Sequence, residues 1–269
     1  AWDHINVFPT FENYIEQFKI FIETIVEGGS LIYNAEDEEV SKLVDTTKVK
    51  LEKIPYRTVE NFTKEGVTYL NVLSKTFSLE VFGRHNLQNI EAAHHACTKI
   101  GISDEDFYSA ISTFKGAAKR LESLGKNTST AVYKDFAHSP SKLTATINAV
   151  KEQYPERELV AVIELHTFSS LNKDFLNEYN GSMDKADVAV VFISKQTFEH
   201  KKLEPYDENV VKQAFGNEKL IFFNDHEILV DFLSYINYKS KNLLLMSSGN
   251  FGGANLNLLA ERALNSESK

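Results

Sequence analysis

From residue 131 onward the chain repeats one pattern: a short apolar run, a polar or glycine-containing break, then a stretch with apolar residues at helical spacing. The runs predict strands at 131–136, 159–164, 187–193, 219–223 and 242–247; the stretches between and after them predict helices at 140–153, 171–184, 208–215, 226–237 and 254–264. Parallel strands cannot be joined by a tight hairpin and need a crossover, so repeated strand–helix units restrict the fold to a mostly parallel sheet with helices on both faces. The expected class is α/β.

The first part reads differently. Residues 10–26 place Phe11, Tyr14, Ile15, Phe18, Ile22 and Ile25 at helical spacing, with Thr10 as N-cap and Gly28-Gly29 as the stop. Leu31-Ile32-Tyr33 reads as a short buried strand ending at Asn34-Ala35-Glu36-Asp37, residues 50–82 alternate polar and apolar as antiparallel strands do, and 86–100 and 104–114 read as helices. The change of pattern near Ser123–Asn127 puts the expected domain boundary at about residue 122, giving domains 1–122 and 123–269.

Composition narrows the function classes. A formal net charge of -9 argues against a general nucleic-acid or anionic-membrane binder. Cys97 is the single cysteine, which rules out an intrachain disulfide and fits a reducing, cytoplasmic setting. No apolar run reaches transmembrane length, so no membrane insertion is expected. The sequence does not begin with Met and opens as if in the middle of a domain, so the expectation is a fragment.

Several groups could carry chemistry. Asn86 and Asn89 share one helix face, and two carboxamides side by side suit the edge of an adenine ring, with Gly83 permitting a tight entry. Lys119-Arg120 lie at the inferred hinge, where an Arg fork suits phosphate oxygens. Asp135 ends the first strand of the second domain, where ligands of open α/β sheets collect, and it can accept from ribose hydroxyls. His138 follows at the loop-to-helix junction ahead of Pro140, suited to orienting a carboxylate or amine. Glu164–Ser170, with His166, follows the next strand, and the glycine-rich Ser247-Ser248-Gly249-Asn250-Phe251-Gly252-Gly253 follows the last. Backbone N–H groups of such a turn can seat a carboxylate. His4 is a possible metal ligand. Each also has a structural reading: an Asn cap, a solvated basic turn, an Asx-turn, a tight loop, a surface His. No Gly-x-x-x-x-Gly-Lys-Ser/Thr phosphate loop, CxxC pair, HExxH or Gly-x-Ser-x-Gly occurs in the sequence.

Taken in order, Asp3-His4, Asn34-Ala35-Glu36-Asp37, Gly83-x-His85-Asn86-x-x-Asn89, Arg120-x-Glu122 and Asp135-Phe136-Ala137-His138-x-Pro140 resemble the muramyl ligase family over essentially the whole chain. The 247–253 segment is most similar to the branch that recycles murein tripeptide, with the branch that adds L-alanine to UDP-N-acetylmuramate as near relative. The resemblance implies a Rossmann-like C-terminal domain of mostly parallel sheet, preceded by the C-terminal part of a central α/β ATPase domain. It implies ATP and Mg²⁺ as cofactors and UDP-N-acetylmuramate plus a peptide or amino acid as substrates, in peptidoglycan synthesis or recycling. By the same resemblance His4 helps hold Mg²⁺, Asn86 and Asn89 face adenine, Arg120 reaches the ATP phosphates, and Asp135 meets the ribose. His138 and His166 face the muramyl and amine substrates, and Ser247, Ser248 and Asn250 lie in the loop near the incoming carboxylate. Arg120 and His138 are the expected catalytic pair. The family chemistry activates a carboxylate as an acyl phosphate, which an amine then displaces. The alanine-adding relatives carry two Arg where Thr167 and Ser170 stand, and the recycling relatives carry one where His166 stands. Without its phosphate loop the chain alone is expected to be inactive. A folylpolyglutamate synthase-like ligase and a non-catalytic nucleotide-binding module are the alternatives.

Overall fold

The computed structural model describes residue 2, residues 7–202 and residues 204–266. The chain divides into two compact units, Ala1–Lys115 and Gly116–Lys269.

In the first unit, α1 (Phe11–Glu23) is capped by Thr10, whose hydroxyl accepts from Asn13 N–H. Strand β1 (Ser30–Asn34) leads through α2 (Glu38–Thr46) to β2 (Glu52–Tyr56), and β1 and β2 pair in parallel. The antiparallel reading of residues 50–82 therefore fails for its first strand. The helix between β1 and β2 supplies a crossover, and a crossover returns the chain in the same direction. Ile22, Leu31 and Val44 close a small core there. Strands β3 (Asn61–Lys64), β4 (Val67–Val72) and β5 (Lys75–Leu79) form the antiparallel meander that the alternation predicts. Helices α3 (Arg84–Lys99) and α4 (Asp104–Ile111) share a second core with it, around Leu70, Leu79, Leu87, Ile90 and Phe107.

The second unit is a six-stranded sheet. Its elements are β6 (Glu122–Lys126), β7 (Ala131–Asp135), α5 (Pro140–Gln153), β8 (Glu158–Glu164), α6 (Lys173–Leu176), β9 (Val188–Phe192), α7 (Lys195–Lys201), α8 (Glu208–Phe215), β10 (Ile221–Phe223), α9 (His226–Tyr235), β11 (Lys241–Met246) and α10 (Leu256–Leu264). The strand order is β10-β9-β8-β11-β7-β6, parallel throughout except for β6, which runs antiparallel to β7. The sheet is thus the mostly parallel, Rossmann-like one expected. Val132, Val160, Val162, Leu243 and Leu245 face α9 and α10, and alternate residues such as Leu244 and Met246 point to the opposite face. The helix expected over 171–184 is broken into a 3-10 turn at Ser169–Leu171, the short α6 and a second 3-10 turn at Asn177–Tyr179. Asn172 restarts the backbone by accepting from Asp174 N–H, and Gly181 ends the run at φ 71°. Among the described residues no helix is long and apolar enough to cross a membrane.

Candidate functional site

Strands β7 and β8 flank β11 in the sheet, so the segments after these three strands are neighbours. They are the segments 135–140, 164–170 and 247–253. Main-chain and side-chain bonds stitch them together. Ser247 N–H donates to the Asp135 carbonyl at 3.0 Å, and Phe251 N–H donates to Glu164 Oε2 at 2.8 Å. Ser247 Oγ also donates to Glu164 Oε2 and accepts from Gly249 N–H at 2.6 Å. Glu164 is 2% exposed, and as a buried acceptor it fixes the path of the whole 247–251 turn. A Cβ at Gly249 would stand 2.7 Å from Glu164 Oε2 and 2.9 Å from His166 Cγ, so the turn needs glycine to come this close to β8.

Among the described residues, three buried polar atoms at these strand ends have no hydrogen-bond partner: Ser139 Oγ, His166 Nδ1 and Ser248 Oγ. Buried polar groups are normally bonded, so a group of orphans on adjacent strand ends marks a candidate site. Ser139 is the N-cap of α5, yet its hydroxyl makes no capping bond. No role was expected for it; the signal available in the sequence is a Ser directly before the Pro that opens a helix. His138 is 8% exposed, and its Nδ1–H donates to the Phe136 carbonyl at 2.8 Å, which orients the ring. Thr167 and Ser170 satisfy one another, with hydroxyl oxygens 3.0 Å apart. Asn250 is exposed beside the turn.

Asp135, the expected ribose contact, makes several bonds within the chain. It is 7% exposed, and its Oδ2 accepts from Leu121 N–H at 2.6 Å while Oδ1 accepts from Ala137 N–H at 2.7 Å and from Thr146 Oγ1 at 3.4 Å. The carboxylate is a strut for the segment that carries Arg120. That segment is strained, with φ 58° at Lys119 and 44° at Leu121, and it is held by several bonds at once. Phe136 N–H donates to the Lys119 carbonyl at 2.8 Å, and Lys119 N–H donates to Glu122 Oε2 at 2.7 Å. That last bond, more than the Lys134 ammonium 2.9 Å away, holds the Glu122 carboxyl below its ordinary pKa. The result is an exposed Arg120 guanidinium 5.7 Å from the Phe136 ring centre, with the Lys119 ammonium at 5.9 Å from the same ring. Two cations raised on a fixed loop suit an anionic group.

In the first unit Gly83 precedes α3 at φ 89°, and Asn86 Nδ2 donates to the Phe82 carbonyl at 2.8 Å. This bond orients the Asn86 carboxamide, and Asn89 stands exposed on the next turn. Beside them Glu36 accepts from Thr58 Oγ1 at 2.6 Å and Gln88 Nε2 at 2.7 Å, with Arg84 Nη2 at 3.3 Å. The Thr58 hydroxyl first, then Gln88 and Arg84, pull its pKa down to about 2. His4 lies outside the described residues, and among those described no group of three or more His, Cys, Asp or Glu is gathered to hold a metal ion.

An open, mostly parallel sheet with helices on both faces is a domain of the doubly wound kind, whose candidate site lies at the carboxyl ends of its strands. The family model described as Mur ligase, glutamate ligase domain matches residues 119–249, and that described as Mur ligase middle domain matches residues 1–97. The chain belongs to the Mur ligase family. It is 30% identical over 201 residues to the UDP-N-acetylmuramate–L-alanine ligase of Caldicellulosiruptor saccharolyticus, covering 70% of this chain and 44% of that protein. The corresponding ligase of Desulfitobacterium hafniense is 29% identical over 199 residues, covering 71% and 44%. The chain thus spans less than half the length of these curated relatives. Among solved structures, the UDP-N-acetylmuramate–alanine ligase of Thermotoga maritima superposes with a TM-score of 0.63 at 18% identity, covering 99% of this chain and 58% of that one. A murein peptide ligase from Psychrobacter arcticus gives 0.58 at 21% identity, covering 94% and 54%. A MurF ligase from Thermotoga maritima in complex with ADP gives 0.66 at 16%, covering 96% and 57%. At these identities the likeness is one of fold.

Proposed function

We propose that the chain works in a cytoplasmic, ATP-dependent ligase that forms an amide bond between UDP-N-acetylmuramate and an amino acid or peptide, in peptidoglycan synthesis or recycling. The observation that carries this reading is the group of buried, unpartnered atoms Ser139 Oγ, His166 Nδ1 and Ser248 Oγ on three neighbouring strand ends. The names of the curated relatives support the muramate substrate.

The residues divide by task. Asn86, oriented through its bond to Phe82, and Asn89 one turn on fit an adenine edge. Arg120, raised on its braced loop, offers a fork to phosphate oxygens, and Asp135 serves the nucleotide by holding that loop. ATP supplies the phosphoryl group that activates the substrate carboxylate. His138, its ring oriented by the Phe136 carbonyl, serves the muramyl side, while His166, Ser247, Ser248 and Asn250 serve the incoming amine and its carboxylate. Fixed donors of this kind aid the reaction by meeting developing charge without reorganising. Mg²⁺ would ride on the nucleotide phosphates, with His4 as its expected protein ligand.

The test is phosphate release by the full-length protein with ATP, Mg²⁺ and UDP-N-acetylmuramate, with L-alanine or the L-Ala-γ-D-Glu-diaminopimelate tripeptide as amine. Release that requires both the muramate and an amine is expected. Release that persists without the muramate, or none with either amine, would sink the reading.

A further inference from the structure

Helix α3 carries the two carboxamides, yet its N-terminus lacks the usual local fittings. Gly83 precedes it without a side-chain cap, and its first turn holds no acidic residue. The anion that serves this helix start comes from a distant part of the chain. Glu36, just beyond β1, turns Oε2 to Thr58 Oγ1 at 2.6 Å, Gln88 Nε2 at 2.7 Å, Thr58 N–H at 3.2 Å and Arg84 Nη2 at 3.3 Å. Thr58 follows β2, and Gln88 and Arg84 belong to the opening turns of α3. One largely buried carboxylate therefore ties the ends of both parallel strands to the helix. Its own place is fixed by Glu36 N–H donating to Asn34 Oδ1 at 2.9 Å and by Ala35 N–H donating to the Tyr56 carbonyl at 2.9 Å.

The direction of the grip matters. At about 100° per residue, Arg84 and Gln88 share one side of α3, and Asn86 lies roughly opposite, about 200° round, with Asn89 on the Asn86 side. Leu87 and Ile90, each 4% exposed, hold the helix to the core between these two sides. Apolar burial is non-directional, so it seats a helix without fixing its rotation. A charge-assisted hydrogen bond is directional and does fix it. The bond from Asn86 to the Phe82 carbonyl orients that carboxamide on the helix. The Glu36 bonds orient the helix on the strands.

We propose that Glu36 is a positioning residue for the nucleotide base: by holding Gln88 and Arg84 it sets the rotation of α3, and with it the aim of Asn86 and Asn89. Glu36 acts through the helix and touches no ligand. The inference rests on the assignment of the two carboxamides to adenine and adds the group that aims them.

The experiment is calorimetric titration of the full-length protein with ATP and, separately, with tripolyphosphate, which offers phosphates without the base, both with Mg²⁺. The variants are Gln88→Ala, Gln88→Glu and the exchanged pair Glu36→Gln/Gln88→Glu. Gln88→Ala removes the donor, Gln88→Glu sets two carboxylates against each other, and the exchanged pair restores a carboxamide–carboxylate bond with its sides reversed. Each single variant is expected to weaken ATP about three- to tenfold and to leave tripolyphosphate unchanged, and the exchanged pair is expected to regain ATP affinity over Gln88→Glu. Unchanged ATP affinity in both single variants overturns the proposal. So does an equal loss for both probes, which marks a general disturbance of the fold, and so does an exchanged pair that recovers nothing. Should Gln88→Glu fail to fold, Gln88→Ala decides by the same comparison of probes. In each of these cases ATP binding by the wild type leaves the nucleotide-binding reading standing. No ATP binding by the wild type removes that reading, and the role of Glu36 with it.

Discussion

Replacing Asp135 with Asn keeps the shape of the side chain and changes what it can accept. In the native chain its two oxygens receive the Leu121 and Ala137 N–H groups at 2.6 and 2.7 Å in a largely buried setting. An Asn must turn its own NH₂ toward one of them, so a charge-assisted bond is replaced by two donors face to face. A lost hydrogen bond to a charged group costs roughly 1.5–3 kcal/mol, and the stranded N–H adds to it, giving about 2–4 kcal/mol in all. For a unit of this size that corresponds to a fall in melting temperature of roughly 5–12 °C, measurable by scanning calorimetry. Trypsin provides a local readout, because Lys119 and Arg120 flank the anchored peptide and cleavage there should accelerate. If Asp135→Asn melts with the wild type and resists trypsin equally well, yet loses nucleotide affinity, the strut argument is wrong and the carboxylate belongs to the ligand.

Gly249→Ala should displace His166 and loosen the Glu164 bonds, because its methyl would meet the Glu164 carboxylate at 2.7 Å and the His166 ring at 2.9 Å; the expected loss is about 1–3 kcal/mol of stability with a larger effect on the KM for the amine, and unaltered kinetics would refute the close approach. Glu36, with its folded pKa of about 2 below the ordinary value of 4.5, contributes stability that is fully present above pH 4.5 and is lost as pH falls toward 2. Its side chain is 19% exposed, so the contribution is discounted to about 1–2 kcal/mol. Urea titrations at pH 5 and pH 3 should therefore differ less for Glu36→Gln than for the wild type, and equal differences would count against the Thr58–Gln88–Arg84 cluster. Asn86→Ala should weaken ATP binding by the full-length protein about tenfold through one lost carboxamide, with isothermal calorimetry as the check; full retention of affinity would remove Asn86 from the adenine contact.

The parallel sheet was legible because its strands and helices differ sharply in period, and α5 and α8 fall where the sequence puts them. Helix α2 was not, because Glu38–Thr46 is mostly polar and buries Val44 alone. Its one clear signal is Asp37, whose side chain accepts from Glu39 and Val40 N–H and so opens the crossover helix that makes β2 parallel to β1. The segments 135–140, 164–170 and 247–253 converge on neighbouring strand ends because the strand order requires it. What local sequence could not disclose is how each polar atom is occupied. Asp135 also braces the Leu121 N–H, fourteen residues away, and Ser139 looks like an ordinary cap until its hydroxyl is found without a partner among the described residues.

The outer strands of the six-stranded sheet bear on a different property. At one edge β10 is three residues long; at the other, β6 runs against the grain of the sheet and slips register between Ser123 and Gly125. Both devices deny an incoming strand a regular row of free N–H and C=O groups. Parallel sheets assemble slowly from distant pieces of chain and stay exposed to mispairing while they do so. By closing its own borders with a stub and a bulged, reversed strand, this sheet limits edge-to-edge growth into larger assemblies and so favours a dispersed, discrete particle at high concentration.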